Sequence, residues 1–427
     1  MWEVHEKFGS LPWETLLEDA IHYAKNGFEI TDYMADVLYV YNEKLSYFKE
    51  TESIFQNHYP DFKNKTLIQN DLANTLKIIS EKGRDGFYKG EIAEKIASAM
   101  KDNGGLISLY DLKNYEPVWR EPLQSEYKGS KIITMGPPSS GGVHIIQMLN
   151  ILKNYDLAAI GHNSSDYINL LTEVMKHAYA DRSKYLGDPD FYDVPINKLT
   201  SKLYAESIVN KIELGASSNS SSILPGMYMD YESDETTHFS VADKYGNVVS
   251  STYTLNSTFG SGVVIKDTGI LMNNEMDDFS AAPGIPNQFG LLGAKANEIV
   301  PFKRPLSSMT PTIVMKNNEL FFTTGSPGGS RIISAVLQSI LNIIDFEMNL
   351  EEATYAQRIH HQWQPDVLEI EFSINENIYK DLEDIGYKVK VSEPRTCIQT
   401  IMLNNDTFSG YGDFRRPDAY ASGEIND

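Results

Sequence analysis

The sequence has one cysteine, fewer basic than acidic residues and no long apolar run. The single Cys397 rules out an intramolecular disulfide and leaves no cysteine-based metal site to build. Its neighbours, Thr396 to Met402, alternate as a strand does, so Cys397 reads as a small buried hydrophobe rather than a nucleophile. With 37 basic against 59 acidic residues the chain carries −22. That argues against nucleic acid and anionic lipid as partners, which need basic surface. No stretch of 18 apolar residues is present, so no membrane-spanning helix is expected. The opening residues, Met1 to Lys7, carry no apolar signal region and read as a helix that begins abruptly.

What is present is an ordinary folding composition, 41% hydrophobic over 427 residues. Up to about residue 215 the pattern is mostly helical. Pro12 and Trp13 open a helix, Leu16, Leu17, Ala20, Ile21 and Ala24 recur at helical spacing, and Gly27 closes it. Further helices are expected over 71–81, 90–100, 144–152 and 165–180, with a short strand at 131–135. Ala216 to Ser222 is a polar, serine-rich run expected to form an exposed loop.

Beyond it the period changes. Residues 238–242 and 248–254 read as a hairpin turning at Asp243-Lys244-Tyr245-Gly246-Asn247. Strands near 312–315 and 320–324 and a helix over 331–344 follow, and the chain from Arg415 reads as a loose tail. A flexible junction between a helix-rich and a strand-rich part is a natural place for a cut.

Several polar clusters bear on chemistry. Thr236 stands between the serine-rich run and the hairpin. A threonine hydroxyl is a weak nucleophile, but at a chain terminus its own α-amine, with a pKa of roughly 8, can serve as base. In isolation a Thr-Thr pair is equally an ordinary strand opening. Thr254 and Asn256 end the partner strand, which the hairpin brings near Thr236. Gly328-Gly329, entering a helix, suit an oxyanion or equally a tight turn. Ser307-Ser308 offer hydroxyls to a carboxylate, or form a plain turn, while Glu275 and Asp278 suit an ammonium group or a solvated acidic loop. His360-His361 read as structural, since adjacent histidines seldom point the same way.

Taken together and in order, these segments resemble the γ-glutamyltransferase (γ-glutamyltranspeptidase) family. The motifs are Pro137-Pro138-Ser139-Ser140-Gly141-Gly142, Tyr179-Ala180-Asp181-Arg182-Ser183, the Thr236 block, Pro305-Leu306-Ser307-Ser308-Met309, Gly325 to Arg331, and His360-His361-Gln362-Trp363. The resemblance implies an α+β fold, the αββα four-layer sandwich of N-terminal-nucleophile hydrolases. It implies a precursor that cuts itself between Glu235 and Thr236 into a large part, 1–235, and a small part, 236–427, which pair as one αββα domain.

Thr236 would be the nucleophile, Thr254 its hydroxyl partner, and Gly328 and Gly329 the oxyanion hole. Asn256, Glu275 and Asp278 would hold the substrate α-amino group, and Ser307 and Ser308 its α-carboxylate. Glutathione and other γ-glutamyl compounds are the implied substrates, with water, amino acids or peptides as acceptors. No metal or organic cofactor is implied, and the expected location is periplasmic or extracellular.

The family's large chain normally begins upstream of Met1 and there carries core strands and a carboxylate-binding arginine. The expectation is therefore an N-terminally shortened member. Phe289 stands where many members place a lid tyrosine. The alternatives are an inactive truncated fragment or a glutaryl- or cephalosporin-type acylase.

Overall fold

The computed structural model describes all residues except 224–235, 281, 283–284, 286–287, 289–292, 373 and 425–427. The described chain forms two compact units, Met1–Trp119 with Phe259–Asn274, and Arg120–Thr258 with Glu275–Asp427.

The first unit is helical, with its longer helices at Trp13–Asn26, Asn70–Lys82 and Gly90–Asp102. The expected 71–81 and 90–100 helices each extend by one or two residues. A hairpin from the inserted segment, Val264–Ile265 with Ile270–Leu271, completes its cores: Val264 packs with Leu38, Leu45 and Phe55, and Ile265 with Ile92 and Ile96. Thr51 Oγ1 donates to the Gly262 carbonyl at 2.7 Å and Thr75 Oγ1 to that of Thr268 at 2.8 Å, so buried threonines satisfy the inserted backbone.

The second unit carries, in chain order, β1 (Leu123–Tyr127), β2 (Ser130–Thr134), α1 (Gly141–Leu152), α2 (Ser165–Tyr185), β3 (Thr237–Ala242), β4 (Val248–Tyr253), β5 (Thr312–Lys316), β6 (Glu319–Thr324), α3 (Arg331–Ile344), β7 (Thr400–Asn404) and β8 (Thr407–Tyr411). Six strands make one antiparallel sheet in the order β8-β7-β6-β5-β2-β1. Ile132, Val314, Phe322 and Met402 are cross-strand neighbours in that sheet and pack against α1, α2 and α3. One step along the same face the row becomes hydroxyl: Thr134, Thr312 and Thr324 are in register, and Thr324 shares a hydrogen bond with Thr400. The apolar row makes the core, and the threonine row marks the end of the sheet from which the site loops spring.

The β3–β4 hairpin lies against this sheet as a second layer. Ser250 Oγ donates to the Thr324 carbonyl at 3.1 Å and accepts the Thr312 N–H at 3.1 Å. Ser240 Oγ donates to the Gln399 carbonyl at 3.0 Å. Residues 120–223 and 236–258 both belong to this unit, so the expected division cuts the chain and not the compact units.

The structure differs from the expectations at four places. Leu123–Tyr127 is an additional strand. Only Thr400 onward joins the ladder. The preceding backbone turns to the Gly325 loop, with Cys397 N–H on Ser326 Oγ at 3.1 Å and Gln399 N–H on the Gly325 carbonyl at 3.0 Å. Cys397 is buried as expected, which raises its thiol pKa to about 11.

The serine-rich run is docked rather than exposed throughout. Ser220 is buried, its N–H meets Asp366 Oδ2 at 3.0 Å, and Trp363 Nε1 donates to the Ser220 carbonyl at 2.7 Å. The tail from Arg415 is anchored. Arg415 Nε donates to Glu371 Oε2 at 2.8 Å and Nη1 to Asp413 Oδ1 at 3.0 Å, so the segment read as a loose tail is tied to one distant and one neighbouring acid. Among the described residues no helix is long and apolar enough to cross a membrane.

Candidate active site

The hairpin register sets the site. Thr237 pairs with Tyr253, which puts Thr236 opposite Thr254 at the open end of the two strands. The turn is tied by Asp243, whose Oδ1 accepts the N–H groups of Tyr245 and Asn247, each at 2.9 Å. Thr236 is 8% exposed, and its carbonyl accepts from Arg416 Nη1 at 3.3 Å. Thr254 Oγ1 accepts the Asn256 N–H at 2.8 Å, and Asn256 sits at φ 75°, a left-handed conformation that asparagine tolerates better than most residues.

Three further segments converge there. Thr236, Thr254, Asn256, Asp278, Ser307, Ser308 and Gly329 line one cleft, together with Arg182 and apolar Leu306, Met309 and Ile332. Glu275 joins through a side-chain hydrogen bond to Asp278, and Gly328 immediately precedes Gly329. All nine residues singled out in the sequence are thus at or next to one cleft. Glu235 and Phe289 lie outside the described residues.

Gly328 takes φ 129°, and a Cβ there would stand 2.8 Å from Thr396 Cγ2 and 2.9 Å from the Arg395 carbonyl, so only glycine fits. The turn leads into α3, whose 14 residues set the positive end of a helix dipole at the cleft wall. That is a suitable setting for a developing oxyanion.

The Ser307–Ser308 turn is held from behind by the Pro137–Gly142 loop. Ser307 N–H donates to the Pro138 carbonyl at 2.8 Å, and Ser140 Oγ donates to the Ser307 carbonyl at 2.9 Å. The cleft's charges are uneven. Burial raises the Glu275 carboxyl to about 7. Burial and then the Glu275 charge push Asp278 well above the ordinary carboxylate range, while Arg182 draws it down. Two facing carboxyls that hydrogen-bond each other share a proton, and a ligand ammonium would replace it.

Sequence reasoning passed over two cations. Arg182, quoted only as part of a motif, lies one turn after Ala178 and Tyr179 on α2, where 16 of 21 residues are buried. A cation on that face was the available signal. Arg416 gave none, because Arg-Arg-Pro near a terminus reads as solvent-facing. The paired histidines are buried and bonded: His360 to Ser334 and Gln362 at 2.8 and 3.0 Å, His361 to Asp366 at 3.1 Å.

Known proteins resemble this chain in sequence and in fold. The sequence model of the family described as Gamma-glutamyltranspeptidase matches residues 1–423. A glutathione hydrolase proenzyme of Escherichia coli (strain K12) is 49% identical over 403 residues, covering 94% of this chain and 70% of that protein. An Acylase ACY 1 proenzyme of Pseudomonas sp. (strain SE83) is 38% identical over 411 residues, covering 95% and 70%. The crystal structure of a cephalosporin acylase from Bacillus halodurans superimposes with a TM-score of 0.84 at 25% identity, over 100% of this chain and 77% of that one. The fold is therefore the α+β fold of N-terminal-nucleophile hydrolases.

Proposed function

The chain belongs to the gamma-glutamyltranspeptidase family of γ-glutamyl hydrolases and transferases, and from that premise we propose that it takes the γ-glutamyl group of glutathione and similar amides onto Thr236 and passes it to water or to an amino acid or peptide. The observation that carries this reading is the meeting of Thr236, Thr254, Asp278, the serine pair and Gly329 in one cleft, from four separate stretches of chain.

Cleavage of the Glu235–Thr236 bond frees the Thr236 amine. That amine accepts the hydroxyl proton as Oγ1 attacks the γ-carbonyl carbon. The N–H groups of Gly328 and Gly329 hold the resulting oxyanion. The carbon–nitrogen bond then breaks, the proton goes to the departing amine of cysteinylglycine, and an ester remains on Thr236. Water or an acceptor amine attacks that ester, the threonine hydroxyl is reprotonated, and glutamate or a new γ-glutamyl amide leaves. Thr254 orients Thr236, Asn256 with Glu275 and Asp278 receives the α-ammonium, and Ser307 and Ser308 receive the α-carboxylate.

On this reading the active form is two chains, 1–235 and 236–427, paired in one unit, and the enzyme works outside the cytoplasm. Denaturing gels with mass spectrometry, alongside γ-glutamyl-p-nitroanilide turnover, test it. Two fragments with a new Thr236 terminus are expected, and Thr236→Ala abolishes both cleavage and turnover. A chain that stays whole yet turns over substrate overturns the mechanism.

The acylase relatives favour a second reading, hydrolysis of glutaryl-type amides. A glutaryl chain has no ammonium to meet Glu275 and Asp278, so the acid pair favours the γ-glutamyl substrate. Comparing glutaryl-7-aminocephalosporanic acid with γ-glutamyl-p-nitroanilide separates the two.

A further inference from the structure

Arg182 is 4% exposed, yet among the described residues no carboxylate lies within ion-pair distance of it. Its Nε donates to Ser140 Oγ at 3.0 Å and its Nη2 to Ser308 Oγ at 3.1 Å, and it lines the cleft that holds Thr236. Removing a guanidinium from water is costly unless an anion meets it. The largest charge effect on it comes from Asp278, whose own carboxyl is pushed up by burial and by the Glu275 charge.

We propose that Arg182 is a specificity-determining positioning residue: its guanidinium fixes the Ser308 hydroxyl, so that the cleft favours substrates with an ionised α-carboxylate.

The hydrogen-bond direction gives the mechanism. Arginine only donates, so the Ser308 oxygen is occupied as an acceptor by Nη2. Among the described residues Ser308's own proton has no acceptor, so it is free to point into the cleft. A hydroxyl whose oxygen accepts from a cation is a stronger donor. Ser140 ties the other edge of the guanidinium to the loop that also holds Ser307, so one cation braces both serines. The cleft then presents an acid pair to an ammonium and, through Arg182, an oriented Ser308 hydroxyl to a carboxylate. The inference rests on the γ-glutamyl reading above.

The test compares kcat/KM for γ-glutamyl-p-nitroanilide with that for its α-carboxamide analogue, in which the negative charge is removed. The wild-type protein is expected to prefer the carboxylate by about 100-fold, and Arg182→Gln to narrow that preference to about 10-fold or less. Arg182→Lys keeps a charge but cannot span both serines, and falls between. A purely structural arginine would lower both substrates alike and leave the ratio unmoved, so an unchanged ratio in folded, cleaved Arg182→Gln overturns the proposal. Where neither Arg182 variant folds, Ser140→Ala decides: it loosens the guanidinium and is expected to lower the ratio several-fold, and an unchanged ratio overturns the proposal. A wild-type protein without γ-glutamyl turnover refutes the functional reading instead.

Discussion

Arg416 Nη1 donates to the carbonyl oxygen of Thr236 at 3.3 Å, tying the C-terminal segment to the residue at the mouth of the hairpin. The segment is held in place for this by its neighbour, since Arg415 is bonded to Glu371, Asp413 and the Ala356 carbonyl. A bond from a charged donor contributes about 1.5–3 kcal/mol when buried, less for a half-buried arginine. Arg416→Met is therefore expected to lower kcat by about 10-fold, while Arg415 keeps the tail folded and the melting temperature nearly constant. Steady-state kinetics with a thermal melt check this, and an unchanged kcat would make the contact passive.

The hairpin and the helices were legible because their signals are local. Asp243 and Asn247 mark the turn, and the apolar spacing of 165–180 and 331–344 fits helix buried on several faces. Leu123–Tyr127 was not, because only Tyr127 in it is buried and the strand is defined by its pairing with β2. The 396–399 stretch alternates like a strand but spends the N–H groups of Cys397 and Gln399 on the Gly325 loop and that of Ile398 on Asp413. All nine candidate site residues were named from motifs, and the two cations were not, since Arg182 and Arg416 meet partners 126 and 180 residues away. Long-range polar partners leave no periodic trace in a sequence.

The acid pair predicts proton release on binding. Burial holds the Glu275 carboxyl at about 7, against an ordinary 4.5, and burial with the Glu275 charge pushes Asp278 well above the ordinary carboxylate range. An ammonium ligand favours both carboxylates ionised, so binding expels the shared proton, and affinity falls as pH drops through 7 toward 4.5. In the empty protein the sign for stability is opposite to that of a salt-bridged acid. The raised pKa adds stability below 4.5, and that stability is lost as pH rises through about 7. Calorimetric titration of glutamate at pH 6 in two buffers of different ionisation heat should show about one proton released. Heats that do not depend on the buffer would contradict it.

Gly325 abuts His238. A Cβ on it would stand 2.1 Å from Cε1 and 2.3 Å from Nδ1 of that ring. The ring is locked by Thr252 Oγ1 at 2.8 Å and Ser240 Oγ at 3.2 Å, and burial lowers its pKa to about 4, so it is neutral at pH 7. Gly325→Ala is expected to cost about 1–3 kcal/mol of stability by overpacking and to lower turnover, because His238 lies two residues from Thr236. His238→Ala makes room for the methyl, so the double variant should be more stable than additivity allows. Denaturant unfolding of the four proteins gives the coupling, and strict additivity would show that the ring is not what the methyl meets.

Lys176 is wholly buried on α2, with Nζ 2.9 Å from Glu173 Oε1, 2.7 Å from the Ser218 carbonyl and 3.2 Å from Ser217 Oγ. Tyr387 donates to the same Glu173 oxygen at 2.6 Å, and its ring centroid lies 4.7 Å from the ammonium. The ion pair therefore fastens the serine-rich run to the helix core just ahead of residue 224. Removing one partner strands the other charge, which costs about 3–5 kcal/mol, whereas replacing both with apolar groups is often neutral. Lys176→Met alone is expected to lose most of that amount, and Lys176→Met with Glu173→Leu to regain much of it, less the bonds to Tyr387 and Ser218. Denaturant midpoints measure both. Because the pair also positions the run ahead of the 235/236 junction, the double variant should be stable yet self-cleave more slowly on a denaturing gel. Cleavage at the wild-type rate would confine the pair to a role in stability.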